Sequence, residues 1–195
     1  MVQAKPKFQS FEAYLAVDPG ELPEGRCEFD DGDLIELMPE SELNDWIADY
    51  LFHLLLLAKI TLPRLIRPGR CEVEVPGKPR TRFPDLVILD PAHIDLAKRR
   101  LTITREMPAP RLVVEVVSPG KKNRDRDYIA KRKQYAERGI PEYWLIDPES
   151  QFITVLTLEG QAYTEHGVFQ GEAKINSALF GALPVTAEQI LQAGA

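Results

Sequence analysis

Apolar residues recur at helical spacing in four stretches of the chain and at strand spacing through most of the rest. Residues 10–17 read as a short helix, because Ser10 can cap its start and Phe11, Tyr14 and Leu15 fall on one side. Pro19, Gly20 and Pro23 break the chain. A hairpin follows, in which residues 26–30 and 33–38 flank Asp31-Gly32, a dipeptide suited to a turn with positive φ. Residues 41–59 predict a long helix with Leu43, Ile47, Tyr50, Leu51, Leu54, Leu55 and Ala58 on one stripe. Its second half is apolar nearly all round, which predicts burial on two sides.

Short strands are predicted over residues 65–67, 71–75 and 83–89, with 77–82 a polar loop and 91–105 a polar connection of no clear period. Residues 112–117 are a dense β-branched run, the pattern of a central strand covered on both faces. Ser118-Pro119-Gly120 stops it. Residues 123–138 predict a helix with a basic outer face, closed by Gly139. A strand over 143–147, a hairpin of 152–158 with 162–166, and a helix over 187–191 complete the chain. This order predicts a single α/β (α+β) domain over 1–195, a mixed sheet flanked by helices with hairpins at both ends.

Composition narrows the class. Apolar residues at 44% and charged residues at 28% match a globular chain and exclude wholesale disorder. The apolar run 54–58 falls far short of the roughly 20 residues that cross a bilayer, and no secretory signal is visible. Cys27 and Cys71 form no disulfide framework or zinc spacing and read as small core residues. A reduced, cytoplasmic protein without membrane contact is expected. The formal net charge of −6 hides an asymmetry: residues 1–50 carry 3 basic and 13 acidic side chains, residues 51–150 carry 20 and 13, and the last 45 carry 1 and 4. The middle segment either faces a polyanion or is ordinary solvated surface.

Glu115 is the most informative residue. Strand alternation puts it on one face with Val113 and Val117, and a carboxylate buried there is costly unless a cation or metal accompanies it. Asp85 opens the strand after Pro84, which also suits a plain turn. Neighbouring strands lie about 4.8 Å apart, so two carboxylates at matching heights can hold one Mg²⁺ or Mn²⁺. Asp127, Lys131 and Tyr135 lie along one helix face, so Lys131 is either a snorkelling structural residue or a cation set near the carboxylates. The run Lys121, Lys122, Arg124, Arg126, Arg132 and Lys133 can touch phosphates, together with Arg80 and Arg82. His53, His93 and His166 form no triad or metal spacing, and His53 reads as a core residue. Ser118 is not a nucleophile elbow, and no Gly-rich phosphate loop is present.

Pro84-Asp85, the run from Leu112 to Pro119, Asp127…Lys131…Tyr135, and the block from Gly139 to Pro148 together resemble the Uma family, with the hairpin from Glu28 to Glu36 resembling its first block. That family is assigned to the PD-(D/E)xK, restriction-endonuclease-like superfamily, and the resemblance runs from about residue 10 to 190. It implies a nuclease core over 41–150, an N-terminal helix and hairpin before it, and a C-terminal hairpin and short helix after it. It implies Asp85 and Glu115 as ligands of Mg²⁺ or Mn²⁺, joined by the carbonyl of Val116. The superfamily's Lys two residues after the Glu is replaced here by Val117, and Lys131 occupies the position from which the family supplies a Lys. The implied activity is metal-dependent hydrolysis of DNA phosphodiesters, with Lys131 assisting the attacking water and Lys121, Lys122 and Arg124 on the DNA backbone. A homodimer would cut both strands. Glu28 and Glu36 are either further ligands or hairpin residues. The alternatives are an inactive nucleic-acid-binding or scaffold protein that keeps the fold, and a hydrolase of smaller phosphate esters.

Overall fold

A computed structural model describes residues 7–193. The chain opens with helix α1 (Phe11–Ala16), whose Ser10 side chain accepts from the Ala13 N–H, and hairpin β1 (Cys27–Asp30) and β2 (Asp33–Glu36). Asp31 and Gly32 both have positive φ at the turn. Gly32 is fixed there for a second reason: a Cβ would come within 2.4 Å of the Phe8 carbonyl oxygen. Helix α2 (Glu42–Leu57) starts at the Ser41 cap. Then come β3 (Ile66–Pro68), β4 (Glu72–Glu74), β5 (Thr81–Arg82), β6 (Leu86–Ile88), a helical turn α3 (His93–Leu96), β7 (Thr102–Ile103) and β8 (Leu112–Val116).

Residues 121–138 are helical throughout, as α4 (Lys121–Asp125), a π-helical segment Arg126–Lys131 and α5 (Arg132–Arg138), closed by Gly139 at φ 80°. The chain ends with β9 (Glu142–Asp147), the hairpin β10 (Phe152–Glu159) and β11 (Ala162–Phe169), the hairpin β12 (Lys174–Ser177) and β13 (Gly181–Thr186), and α6 (Ala187–Leu191) behind a Thr186/Gln189 capping box.

The central sheet has six strands in the order β11-β10-β9-β8-β6-β3. Only β8 and β9 run parallel, joined by the 121–138 helix as a crossover; the other pairs are antiparallel. Alternation along β8 divides the core. Leu112, Val114 and Val116 face α2 and α6, whereas Val113 and Val117 face Tyr135, Ala136 and the small sheet β5-β4-β7. Both faces are therefore covered, as the apolar run 112–117 predicts.

Five expectations are corrected. The loop over 77–82 contains β5, and the connection over 91–105 contains α3 and β7. The hairpin β12–β13 falls where no element is predicted. Helix α2 is buried along one stripe (Ile47, Ala48, Leu51, Leu55) and not on two sides: Leu57 is 66% exposed and Leu43 47%. His53 sits exposed on that outer side and not in the core. Cys27 and Cys71 are buried, as expected of core residues. Among the described residues no helix is long and apolar enough to cross a membrane.

Part of the charge asymmetry of the sequence is met by contacts between the two segments. Acidic side chains of the first 50 residues meet basic ones of the middle segment: Glu28 with Arg82 at 3.0 Å, Asp31 with Lys78 at 2.9 Å and Glu12 with Arg80 at 3.8 Å.

Candidate active site

The ladder between β6 and β8 ends at the pair Leu86–Val114. Continued by one step, the register sets Asp85 opposite Glu115. Past that point Val116 has no partner strand on the β6 side, and the Asp85 side chain supplies one: Val116 N–H donates to Asp85 Oδ2 at 2.7 Å. The Val116 carbonyl accepts from Asn44 Nδ2 at 3.4 Å. A backbone N–H and C=O of one strand residue point to the same edge, so Asp85 and the Val116 carbonyl share one corner of the sheet.

Glu115 projects from β8 toward the 121–138 helix, which carries its partners. Lys131 Nζ donates to Glu115 Oε2 at 2.6 Å, and the Tyr135 hydroxyl donates to Oε1 at 2.5 Å. Lys131 also meets Asp127 at 3.1 Å, one turn back. Arg126 holds Asp127 from its other side with two hydrogen bonds. All of Asp85, Glu115, Asp127 and Lys131 are buried.

Electrostatics follow from that burial. Loss of water raises the Asp85 pKa to about 6, against the opposing pull of Lys131 and the Val116 N–H. Burial also pushes Glu115 upward, opposed by Lys131 and reinforced by the charges of Asp85 and Asp127. For Lys131, burial works against the ammonium, but Glu115, Asp127 and Asp85 outweigh it and raise its pKa. An ammonium held by two acidic neighbours donates to Glu115 as to a carboxylate, and we read the contact as an ion pair. Glu40 and Arg26 also act on Asp85, and Ser118 donates to Glu40 at 3.3 Å. These two residues carry no signal in the sequence beyond lying at the hairpin's ends.

The donor set suits a hard divalent cation: two carboxylates and a backbone carbonyl, all oxygen. Charge suits it too. Asp85, Glu115 and Asp127 bring three acidic groups against the two cations Lys131 and Arg126. Each oxygen of Glu115 already accepts one hydrogen bond and keeps a second lone pair. Among the described residues no cluster of three or more His, Cys, Asp or Glu side chains has metal-binding geometry, so a third protein ligand would be backbone.

The flanking cations divide. Lys121 and Lys122 are exposed at the start of α4. Arg124 is half-buried and bonded to Asp147 at 2.5 Å, where the Tyr128 hydroxyl also donates at 2.9 Å. Arg80 pairs with Glu74 of β4 at 2.8 Å and reaches Glu12 of α1 at 3.8 Å, and Arg82 ties Glu28 of the N-terminal hairpin to Gln134 of α5.

The sequence profile of the Uma2 family, described as "Putative restriction endonuclease", matches residues 11–187. The chain belongs to this family. A solved structure from Anabaena variabilis, described as a putative nuclease belonging to DUF820, superposes on this Uma2 chain with a TM-score of 0.63 at 16% identity, covering 94% of this chain and 98% of the other. At that identity the likeness establishes the shared fold. No curated protein matches the chain. The matched span contains Asp85, Glu115 and Lys131, so the side chains gathered at the end of β6 lie within the Uma2 region itself.

Proposed function

We propose that this Uma2 protein is a metal-dependent DNA endonuclease, with Asp85, Glu115 and the Val116 carbonyl holding Mg²⁺ or Mn²⁺. The observation that supports it best is the approach of Lys131 to within 2.6 Å of Glu115, an ammonium beside the carboxylate in a chain where Val117 stands at the superfamily's Lys position. Catalysis needs the position of the charge and not its offset in the chain. A divalent ion in such a site lowers the pKa of water and offsets charge on the phosphoryl oxygens. The chain's own groups do the rest. Lys131, held protonated by its acidic neighbours, orients the attacking water and stabilises the charge that builds on the phosphorus oxygens. Tyr135 fixes the Glu115 carboxylate, and the Val116 N–H fixes that of Asp85. Lys121 and Lys122 are free to meet the DNA backbone, whereas Arg124 would have to leave Asp147 to do so. Cutting both strands calls for two copies of the site, and hence a dimer on the DNA.

The test is nicking of supercoiled plasmid by the purified protein in Mg²⁺, Mn²⁺ or EDTA. Asp85→Ala and Glu115→Ala should each abolish metal-dependent cleavage while circular dichroism shows the fold intact. Variants that cut as well as the parent would overturn the reading. The replacement of the superfamily Lys by Val117 favours one other reading, an inactive nucleic-acid-binding protein of this fold. It predicts no rise in Tm on adding Mn²⁺, where an intact site is stabilised by ligand linkage.

A further inference from the structure

A cleft of about 700 Å³ runs from Asp85 along the edge strand β3, bounded by α2 on one side and by the segment after α3 on the other. Its walls differ in sign. Arg67 of β3 and its flanking Arg64 and Arg70 line one side, with Arg26 before β1 and Arg99 after α3 also on the cleft, and the α2 side carries Asp45 and Asp49. Several arginines of the molecule are already paired in structural contacts, as Arg82 is with Glu28 and Arg124 with Asp147. Arg67 of β3 and the two arginines that flank the strand are not. Among the described residues, Arg64, Arg67 and Arg70 make no ion pair, and Arg67 Nε is buried with no hydrogen-bond partner. Arg26, at the Asp85 end, has only a 4.0 Å contact to Glu40.

We propose that the β3 wall of this cleft is the track for the phosphate backbone of duplex DNA, leading one strand to Asp85. The inference rests on the reading of the chain as a DNA endonuclease and deepens it by assigning the binding surface. Several unpaired guanidinium groups lining one cleft suit a polyanion better than a single bound phosphate. The rings of the cleft are Phe52 and the buried imidazole of His93, which is held at the Pro108 carbonyl, so it lacks the row of exposed stacking platforms by which proteins hold single strands. Contacts of this type fix register on the duplex without reading sequence. Asp45 and Asp49 on the opposite wall repel phosphate and confine the strand to the arginine side.

The experiment is fluorescence anisotropy of a labelled 20-base-pair duplex with the full-length protein in EDTA, repeated across a salt series. Arg64→Ala/Arg70→Ala should weaken binding at least tenfold and reduce the slope of log K against log salt by about 1.8, at roughly 0.9 for each phosphate that an arginine neutralises in the parent. Both residues are exposed and unpaired, so the melting temperature should stay that of the parent. Asp45→Asn/Asp49→Asn should tighten binding. The proposal fails if the arginine variant binds as the parent does, if Lys121→Ala/Lys122→Ala alone removes binding, if single-stranded DNA or RNA binds more tightly than duplex, or if the parent binds no duplex. Plasmid nicking in Mn²⁺ separates this failure from that of the nuclease reading. A parent that nicks while the arginine variant binds normally overturns only the cleft; a parent that binds through the arginines but never nicks overturns only the endonuclease.

Discussion

Lys131 and Glu115 stand sixteen positions apart in sequence and meet at 2.6 Å in a buried ion pair that joins the 121–138 helix to the middle of the central sheet. The pair is a structural tie as well as a candidate catalytic device, because neither charge has water to fall back on. Asp127 shares the same ammonium at 3.1 Å, so one Lys serves two acids.

Lys131→Met should therefore do two things. It removes the ammonium that the proposed mechanism needs, and plasmid nicking should fall below detection. It also leaves Glu115 without its cation, a change that costs about 3–5 kcal/mol when a buried pair loses one partner. Protonation of Glu115 at low pH should recover part of that loss. Thermal melts of the variant from pH 5 to pH 8 check this: the deficit against the parent should grow as pH rises. A deficit that is flat with pH would mean that Glu115 is already neutral in the parent.

Asp85→Asn should raise the stability of the metal-free protein at neutral pH. The Asp85 pKa, raised by burial from 3.8 to about 6, means that the folded state holds this proton more tightly than the unfolded chain does. Its contribution to stability is full below about pH 4 and is lost as pH rises through about 6. Above that, the buried charge costs up to about 3 kcal/mol, at 1.36 kcal/mol per unit. Asn keeps the oxygen that accepts from Val116 N–H and carries no charge. In EDTA at pH 7.5 the variant should melt several degrees above the parent, and at pH 4 the two should coincide. Mn²⁺ at a thousandfold excess over Kd should reverse the order, since about 4.1 kcal/mol of linkage is then open only to the parent.

How much of this was readable in the sequence depends on the range of the interaction. Alternation alone sets Glu115 on the face of Val113 and Val117, and helical spacing alone turns Asp127, Lys131 and Tyr135 to one side; both orientations hold in the structure. What spacing does not give is the register that sets Asp85 opposite Glu115, because residues 89–111 intervene and contain α3 and β7, each too short to leave a period. β5 is equally silent, a two-residue polar strand tied in by the Phe29 N–H donating to Thr81 Oγ1. The hairpin β12–β13 did leave a signal, the alternate burial of Ile175 with Ser177 and of Leu183 with Val185, but polar neighbours and Pro184 dilute it. The unpaired arginines in and beside β3 have no sequence mark either, since which arginines are paired is decided by tertiary contacts.

Tyr135→Phe isolates how far the placement of Glu115 matters. The hydroxyl donates to Oε1 at 2.5 Å from a fully buried ring that also stacks edge-on against Tyr143 at 5.2 Å. Phe keeps the ring and its packing and removes only the donor. A hydrogen bond to a charged group is worth about 1.5–3 kcal/mol, so the melting temperature should fall by several degrees. In the proposed mechanism Tyr135 touches no substrate and acts by holding the carboxylate. Cleavage should then slow about tenfold with little change in DNA affinity, and raising the Mn²⁺ concentration should recover part of the rate by restoring occupancy of a looser site. A variant that melts lower but cuts at the parental rate at every Mn²⁺ concentration would show that the Tyr135 hydrogen bond serves the fold alone.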